Sequence, residues 1–435
     1  MKSIEVLSPG EKIKNIRKRF KIKQQDITGG EITRNLISII ENNKANLTEN
    51  VAKILADNIN IYCNRNSIDF YITADYLLEN VTSQVNKICD NYIEFIEKTD
   101  ISKMDTIEYS FDEVEVFLKK YNCREKKIII FSKIGDKFKI IEKYYKAYYF
   151  YNKAYENYML NDDKEEFFNL IYKLVSCCII TEKYDQALSL INFTLHEFKE
   201  LKDSQKYNII IKEIICYREI KKIDYSLECI KKLEKTFEKY LKNYPDEYIN
   251  LLKLKSSCLR EKNSFLESLD IEKNILKIIS INDLQRQFEC NTNILEIYNS
   301  LKDRRNLQKY SNKLIKLDRE FQIPEELKSK VYINIAIATK ALNLKEESVV
   351  YLKKAKEIAI ELNEKIILEK SILILLDMYI NEGNYEEVNN IKNLIMELVS
   401  KGKIDKNHTI ILNLIKYYNK LEEREIIEDI LEFLI

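Results

Sequence analysis

The 435-residue chain is predicted to be all-α, with a small five-helix domain in front of a long run of helical hairpins. Three observations carry this. Six Gly, three Pro and no Trp leave little to build the turns of a sheet protein, whereas abundant Leu, Ile, Lys and Glu favour long helices. Small or apolar residues recur at Ala187, Ser226, Ser268, Leu307, Ser348 and Val388, in steps of 39, 42, 39, 41 and 40 residues. A period in that range marks a solenoid of helix pairs. Finally, Thr28–Thr48, TGGEITRNLISIIENNKANLT, reads as a tight turn followed by a short helix with a buried back and a polar front.

The first helix begins after Ser8, with Pro9 at its first position, and points Ile13, Ile16 and Phe20 inward. Its other face carries Lys14, Arg17, Lys18 and Arg19, followed by Lys21 and Lys23. This basic cluster is either a phosphate contact or a solvated face. Gln24–Thr28 has room for barely two helical turns, and Gly29 and Gly30 form a turn. Thr33 then caps a helix running to about Asn43, with Ile37 and Ile40 on one side and Arg34, Asn35 and Ser38 on a neighbouring one. Helix, tight turn, helix is the order in which the second helix enters the DNA major groove. A fourth helix starts at Thr48 and turns Val51, Ile54 and Leu55 to one side.

Residues Ile32–Lys44, ITRNLISIIENNK, resemble the xenobiotic-response-element class of helix-turn-helix domains, whose usual run is V-S-R-S-T-I-S-R-I-E-N-G-K. Ile72–Leu78, ITADYLL, resembles the segment that closes such domains, so the resemblance covers residues 1–80. The turn is one residue shorter than the common pattern, Leu36 and Ile39 replace polar residues, and Asn43 replaces a Gly. The resemblance and the polar face together nominate Gln24, Thr33, Arg34, Asn35, Ser38 and Lys44 for DNA contact.

Residues 81–138 read as a helical connector and a divergent first pair, with helices at 84–98, 106–121 and 124–134. From 139 to 435 the rhythm is regular. Units such as EKYDQAL at Glu182–Leu188 and LKKA at Leu352–Ala355 resemble tetratricopeptide repeats, which implies a right-handed α-solenoid. Turns are expected at Asn161-Asp162-Asp163, Asn243-Tyr244-Pro245, Ile323-Pro324, Glu382-Gly383-Asn384 and Lys401-Gly402. The first helix of each pair is expected to line a trough suited to an extended peptide. Asn side chains satisfy both backbone donors and acceptors, which nominates Asn250, Asn293 and Asn334 in successive first helices. Tyr298 and Tyr332, with Tyr248, are candidate ligand anchors, and Arg260 and Arg286 candidate carboxylate partners. Each has a plainer reading open beside it: solvent-facing Asn, inter-helix Tyr packing, surface ion pairs.

The net charge of +1 conceals a basic front: residues 1–66 hold twelve Lys/Arg against seven Asp/Glu, net +5, which falls to +2 by residue 80. Nine cysteines without C-x-x-C spacing read as reduced thiols, and adjacent Cys177-Cys178 in an apolar run as core. With only His196 and His408, and no phosphate-binding glycine loop, the expectation is no enzyme, no cofactor and no metal. No signal peptide or spanning segment is read, so a cytoplasmic protein without membrane contact is expected.

The combination resembles the RRNPP family of peptide-pheromone receptors. That resemblance implies a homodimer that binds operator DNA and responds to a short signalling peptide, with Lys406–Ile435 either a capping repeat or a dimer contact. The alternatives are a DNA-binding regulator whose solenoid takes a protein partner, and a repeat scaffold that binds no DNA.

Overall fold

A computed structural model describes residues 5–159, 163–406 and 409–434. Among these residues there are twenty-three α-helices, two short 3-10 turns and no strand, so the all-α class is as predicted. No described helix is long and apolar enough to cross a membrane. The chain divides into two compact units, Met1–Cys216 and Tyr217–Ile435.

In the first unit, α1 (Pro9–Arg19), a 3-10 turn (Gln24–Ile27), α2 (Arg34–Glu41), α3 (Glu49–Arg65) and α4 (Ala74–Leu78) close on one core. It contains Ile13, Ile27, Ile37, Ile40, Leu55, Ile59 and Leu77. Ser8 caps α1 in a capping box with Glu11, and Thr33 caps α2 by accepting from the Leu36 amide. Helix α2 ends at Glu41, two residues short of the expected Asn43. Asn43 takes a left-handed φ of 57° and the Lys44 amide reaches back to the Ile39 carbonyl at 3.0 Å, which closes the helix. Asn is among the few residues that adopt this conformation at low cost, so it can stand where the family pattern has Gly.

Three contacts in this bundle were not foreseen. A Cβ on Gly10 would sit 2.0 Å from the Ile40 carbonyl oxygen, so α1 and α2 cross where only glycine fits. Lys12 is 2 % exposed, and its ammonium donates to the carbonyls of Tyr76 and Glu79 at 2.7 and 2.9 Å. The Asn60 side chain pairs with the backbone of Ile72 in both directions, at 2.8 and 2.9 Å, tying the closing segment to α3. Phe20, expected inward, is half-buried against Phe70.

Helix α5 (Val81–Lys98) follows, and its Gln84 amide bonds both the N–H and the C=O of Leu7, at 3.3 and 2.7 Å. Then come α6 (Met104–Lys120), α7 (Arg124–Ile140), α8 (Tyr144–Tyr155), α9 (Lys164–Ile180), α10 (Tyr184–Glu197) and α11 (Asp203–Glu219). The helices expected at 84–98, 106–121 and 124–134 are these first three, with α7 six residues longer. Their core holds Phe111, Ile134, Phe138, Tyr151, Leu174 and both Cys177 and Cys178. Burial pushes those two thiols up to about 11 and about 12, in keeping with a packing role.

The second unit holds α12 (Ile223–Thr236), the short α13 (Glu238–Asn243), α14 (Pro245–Glu261), α15 (Phe265–Ile278), α16 (Leu284–Ser300) and α17 (Arg304–Phe321). It continues with α18 (Glu325–Ala341), α19 (Lys345–Glu361), α20 (Lys365–Glu382), α21 (Tyr385–Ser400), α22 (Thr409–Lys420) and α23 (Arg424–Leu434). Helix α13 was not anticipated and lies within the longest repeat step, 42 residues.

The repeat has a sharper signature than its spacing. Ala187, Ser226, Ser268, Leu307, Ser348 and Val388 are each the fourth residue of a second helix, and each is at most 1 % exposed. Ala147, fourth in α8 and fully buried, extends the series upstream. The Ser268 and Ser348 hydroxyls donate to the carbonyls of Ser256 and Ala336 in the preceding first helix, at 3.1 and 2.8 Å. At Ser268 and Ser348 the second helix therefore meets the backbone of the first, which calls for a small side chain there.

Two residues before each of these second helices stands one with positive φ: Glu142, Glu182, Lys221, Asn263, Lys302, Asn343 and Gly383, and Glu422 before α23. The next residue's amide then bonds the carbonyl five residues earlier, as in Lys183 to Cys178 at 2.7 Å and Asp303 to Tyr298 at 3.0 Å. Of the turn sites expected from composition, only Gly383 lies inside a helix pair. Asn243-Tyr244-Pro245, Ile323-Pro324 and Lys401-Gly402 fall between one pair and the next, while Asn161 and Asp162 lie outside the described residues, as do His408 and Ile435. Most intra-pair turns escaped because their left-handed residue is usually Glu or Lys.

A left-handed L-residue other than Gly costs roughly 1 kcal/mol. Glu182→Gly and Lys302→Gly should therefore each stabilise the chain by about 0.5–1 kcal/mol, and Gly383→Ala should destabilise it by about 1 kcal/mol, read from urea midpoints.

Candidate nucleic-acid interface and ligand site

The front of α2 is organised from behind by one carboxylate. Glu41, 4 % exposed, accepts from Arg17 at both oxygens, Nε at 2.7 Å and Nη2 at 2.9 Å, and from the Gln24 amide at 2.8 Å. Burial works to raise the Glu41 carboxyl, but the hydrogen bonds from Arg17 and Gln24 and the Arg17 charge together hold it below the usual carboxylate range. The other end of Gln24 accepts from Arg34 Nε at 3.3 Å. A relay Arg17–Glu41–Gln24–Arg34 thus aims the Arg34 side chain, and Arg17, Lys23, Gln24, Gln25 and Arg34 line one surface hollow at the start of α2.

Thr33, Arg34, Asn35 and Lys44 are exposed, and Ser38 is half-buried with its carbonyl accepting from Asn42 at 2.8 Å. Gln24 is half-buried and engaged in the relay, and Arg17 of the basic cluster is spent on Glu41. Lys18, Lys21 and Lys23 remain exposed. Glu41 carried no signal of its own in the sequence: its role follows from where Arg17 and Gln24 arrive in space.

In the second unit the candidate residues are placed less uniformly. Asn293 and Asn334 occupy the same register, nine residues before their turn residues Lys302 and Asn343, while Asn250 stands one helical turn earlier and is exposed. The three do not form one row. Asn293 and Asn334 are 8 % and 7 % exposed, and their amide groups donate to Glu272 at 3.0 Å and to the Lys330 carbonyl at 2.9 Å. Tyr298 packs on Tyr310, and the Tyr332 hydroxyl donates to Asp318 at 3.0 Å; burial, and then that hydrogen bond, raises the phenol. Tyr248 is half-buried. Arg260 and Arg286 form ion pairs with Glu296 at 3.1 Å and Asp246 at 2.7 Å. These link neighbouring first helices, as Lys173–Asp136 does in the first unit at 2.8 Å.

No family model matches the chain, and neither does any curated protein. Solved structures do. The apo form of RapI aligns with 90 % of this chain and 99 % of its own, at 11 % identity and a TM-score of 0.53. The apo quorum sensor NprR from B. thuringiensis aligns with 88 % of this chain and 99 % of its own, at 14 % identity and a TM-score of 0.51. A STAND-type signal transduction ATPase with a tetratricopeptide repeat sensor, from Pyrococcus horikoshii, aligns with 95 % of this chain and 69 % of its own, at 13 % identity and a TM-score of 0.50. The chain has the helical-repeat fold of RapI and NprR. Both are RRNPP proteins, so the resemblance read from the sequence holds at the level of the fold.

Glu41→Gln should lower the stability of the N-terminal bundle by about 2–3 kcal/mol, because Arg17 loses its charged partner in a half-buried site. The Glu41 contribution is fully present above the unfolded carboxylate pKa of about 4.3 and is lost as pH falls through the depressed folded value. Acid titration followed by hydrogen exchange of α1 and α2 amides should show that loss in the wild type and not in the variant. Gly10→Ala should destabilise the same helices by at least about 1–3 kcal/mol, because the Ile40 carbonyl is backbone and cannot step aside.

Proposed function

We propose that the chain is a DNA-binding transcriptional regulator whose helical-repeat part binds a short signalling peptide, acting as a homodimer in the cytoplasm and carrying out no catalysis. The observation that carries the DNA half is the exposed Arg34–Asn35 face at the start of α2, aimed by the buried Glu41 relay and flanked by exposed lysines. A guanidinium held at a helix start, with a short polar amide beside it, suits readout of base edges in the major groove. Lys18, Lys21, Lys23 and Lys44 suit phosphates. Support for the peptide half is the shared fold with a quorum sensor, together with first helices whose Asn and Tyr side chains sit just below the surface.

A short peptide that contacts several neighbouring first helices can bias their packing, and a dimer that must match two half-sites converts a small change in spacing into a large change in affinity. Arg34→Ala should cost on the order of 1–3 kcal/mol in operator binding and relax specificity at one position. Lys23→Ala should weaken all sequences alike and flatten the salt dependence. These are read by fluorescence anisotropy across a salt series against genomic fragments from beside the gene. Unchanged binding by the Arg34 variant removes Arg34 from the interface, and absence of any salt-dependent binding sinks the DNA half. A peptide encoded by a neighbouring small reading frame, added at one hundred times its Kd, should raise stability by roughly 2.7 kcal/mol. Co-purification of a stoichiometric folded partner instead would assign the repeats to a protein.

A further inference from the structure

Two thiols meet outside both sites described above. Cys89 lies on α5 and Cys123 immediately before α7, and their sulfurs are 3.9 Å apart although 34 positions separate them in the chain. Cys89 is fully buried, and Cys123, 8 % exposed, is the member nearer solvent. Cys123 belongs to the short non-helical stretch Tyr121–Cys123 that joins α6 to α7. Closing the sulfurs from contact to a bond of about 2.05 Å therefore asks this turn to move and leaves the helices in place.

The two thiols are also chemically unequal. The Cys89 thiol donates to Cys123 Sγ, which in turn faces the Tyr121 carbonyl at 3.8 Å. That hydrogen bond from Cys89, followed by the nearby Lys127 charge, holds the Cys123 thiol below its usual range although burial works the other way. The same bond and burial raise Cys89. Cys123 stands at the N-cap of α7, where the positive end of the helix favours a thiolate, and its side chain makes no capping hydrogen bond. Burial pushes Cys63, Cys177, Cys178, Cys258 and Cys290 in the opposite direction. One partner is thus set up to attack an oxidant, and the other lies within contact to resolve the product.

We propose that Cys89 and Cys123 are a redox modification site, at which a hydroperoxide forms a reversible disulfide that fastens α5 to the α6–α7 turn. In the first step the Cys123 thiolate attacks one peroxide oxygen. The S–O bond forms, the O–O bond breaks, and the leaving hydroxide takes a proton to become water. Cys89 then attacks Sγ of the Cys123 sulfenic acid; the S–S bond forms, the S–O bond breaks, and the departing hydroxide carries off the Cys89 proton as a second water. Two thiols lose two electrons to one hydroperoxide, and a small dithiol reverses the change by exchange. Cytosolic disulfides are mostly transient and redox-sensing, which fits a pair that is unbridged here. Helix α5 also carries Gln84, whose amide clasps both backbone groups of Leu7 ahead of the N-terminal bundle. The bond would therefore stiffen the helix that leads from the bundle into the repeats, whatever ligand those repeats take.

The test treats the reduced full chain with hydrogen peroxide, alkylates the remaining thiols under denaturing conditions, and maps the peptides by mass spectrometry without reduction. A Cys89–Cys123 linked peptide should be the main product and should vanish on adding dithiothreitol. Both thiols should be lost at least about tenfold faster than Cys177, Cys178, Cys258 and Cys290. Hydrogen exchange of α5 amides should slow on oxidation and recover on reduction. Cys123→Ser, which places a good capping residue at an N-cap, should fold and show neither the linked peptide nor the slowed exchange. In Cys89→Ala the sulfenic acid should persist on Cys123 and be captured by dimedone. A folded wild type that forms no Cys89–Cys123 link overturns the proposal. So does loss of all cysteines at similar rates, or slowed α5 exchange that survives in Cys123→Ser. If Cys89→Ala folds poorly, the wild-type map and Cys123→Ser decide alone.

Discussion

The structure depends on how closely the two helices of a pair approach one another. In the pairs from α7–α8 to α20–α21 the chain reverses through one residue of positive φ, and the fourth residue of the following helix is buried. At Ser268 and Ser348 the contact is near enough for a hydroxyl to reach a main-chain carbonyl. The left-handed residue sets the angle, and the small residue permits the distance. Large side chains such as Tyr151, Phe288 and Tyr418 are fully buried, and lysines and carboxylates about one repeat apart meet on neighbouring first helices. Such ion pairs at half-exposed surfaces contribute little individually. Packing, rather than these charges, holds the helices together.

Two buried carboxylates illustrate opposite uses of the same chemistry. Glu41 has donors at both oxygens, from Arg17 and Gln24, and so behaves as a rigid strut behind the face of α2. Its saturation transmits order outward, since Gln24 is fixed by Glu41 and in turn receives Arg34. Glu272 is saturated at one oxygen only. A saturated carboxylate stabilises the fold around it, whereas a half-saturated one costs stability.

The all-α class, the helical hairpins and their period of about forty residues could be read directly from the sequence. These are consequences of local rules: Gly and Pro are scarce, apolar residues recur at helical spacing, and the small residue at each crossing must return once per repeat. The caps at Ser8 and Thr33 and the buried face of Ile37 and Ile40 were legible for the same reason, because each involves residues within one or two turns of each other. What needed the tertiary structure involves partners far apart in sequence. Gly10 and Lys12 carry no signal of their own in the sequence: the first is marked only by the Ile40 carbonyl placed against it, the second by the carbonyls of Tyr76 and Glu79 that accept from its ammonium. Most of the turns inside the pairs were missed because Glu and Lys do not announce a left-handed backbone; the packing of two long helices imposes it on them. Asn293 could be named from its position in a first helix, but only the fold brings it to Glu272, twenty-one residues away on another helix. Periodicity reports which face of a helix is buried; which polar atoms are left without a partner on that face depends on the neighbour, and the neighbour is chosen by the three-dimensional packing.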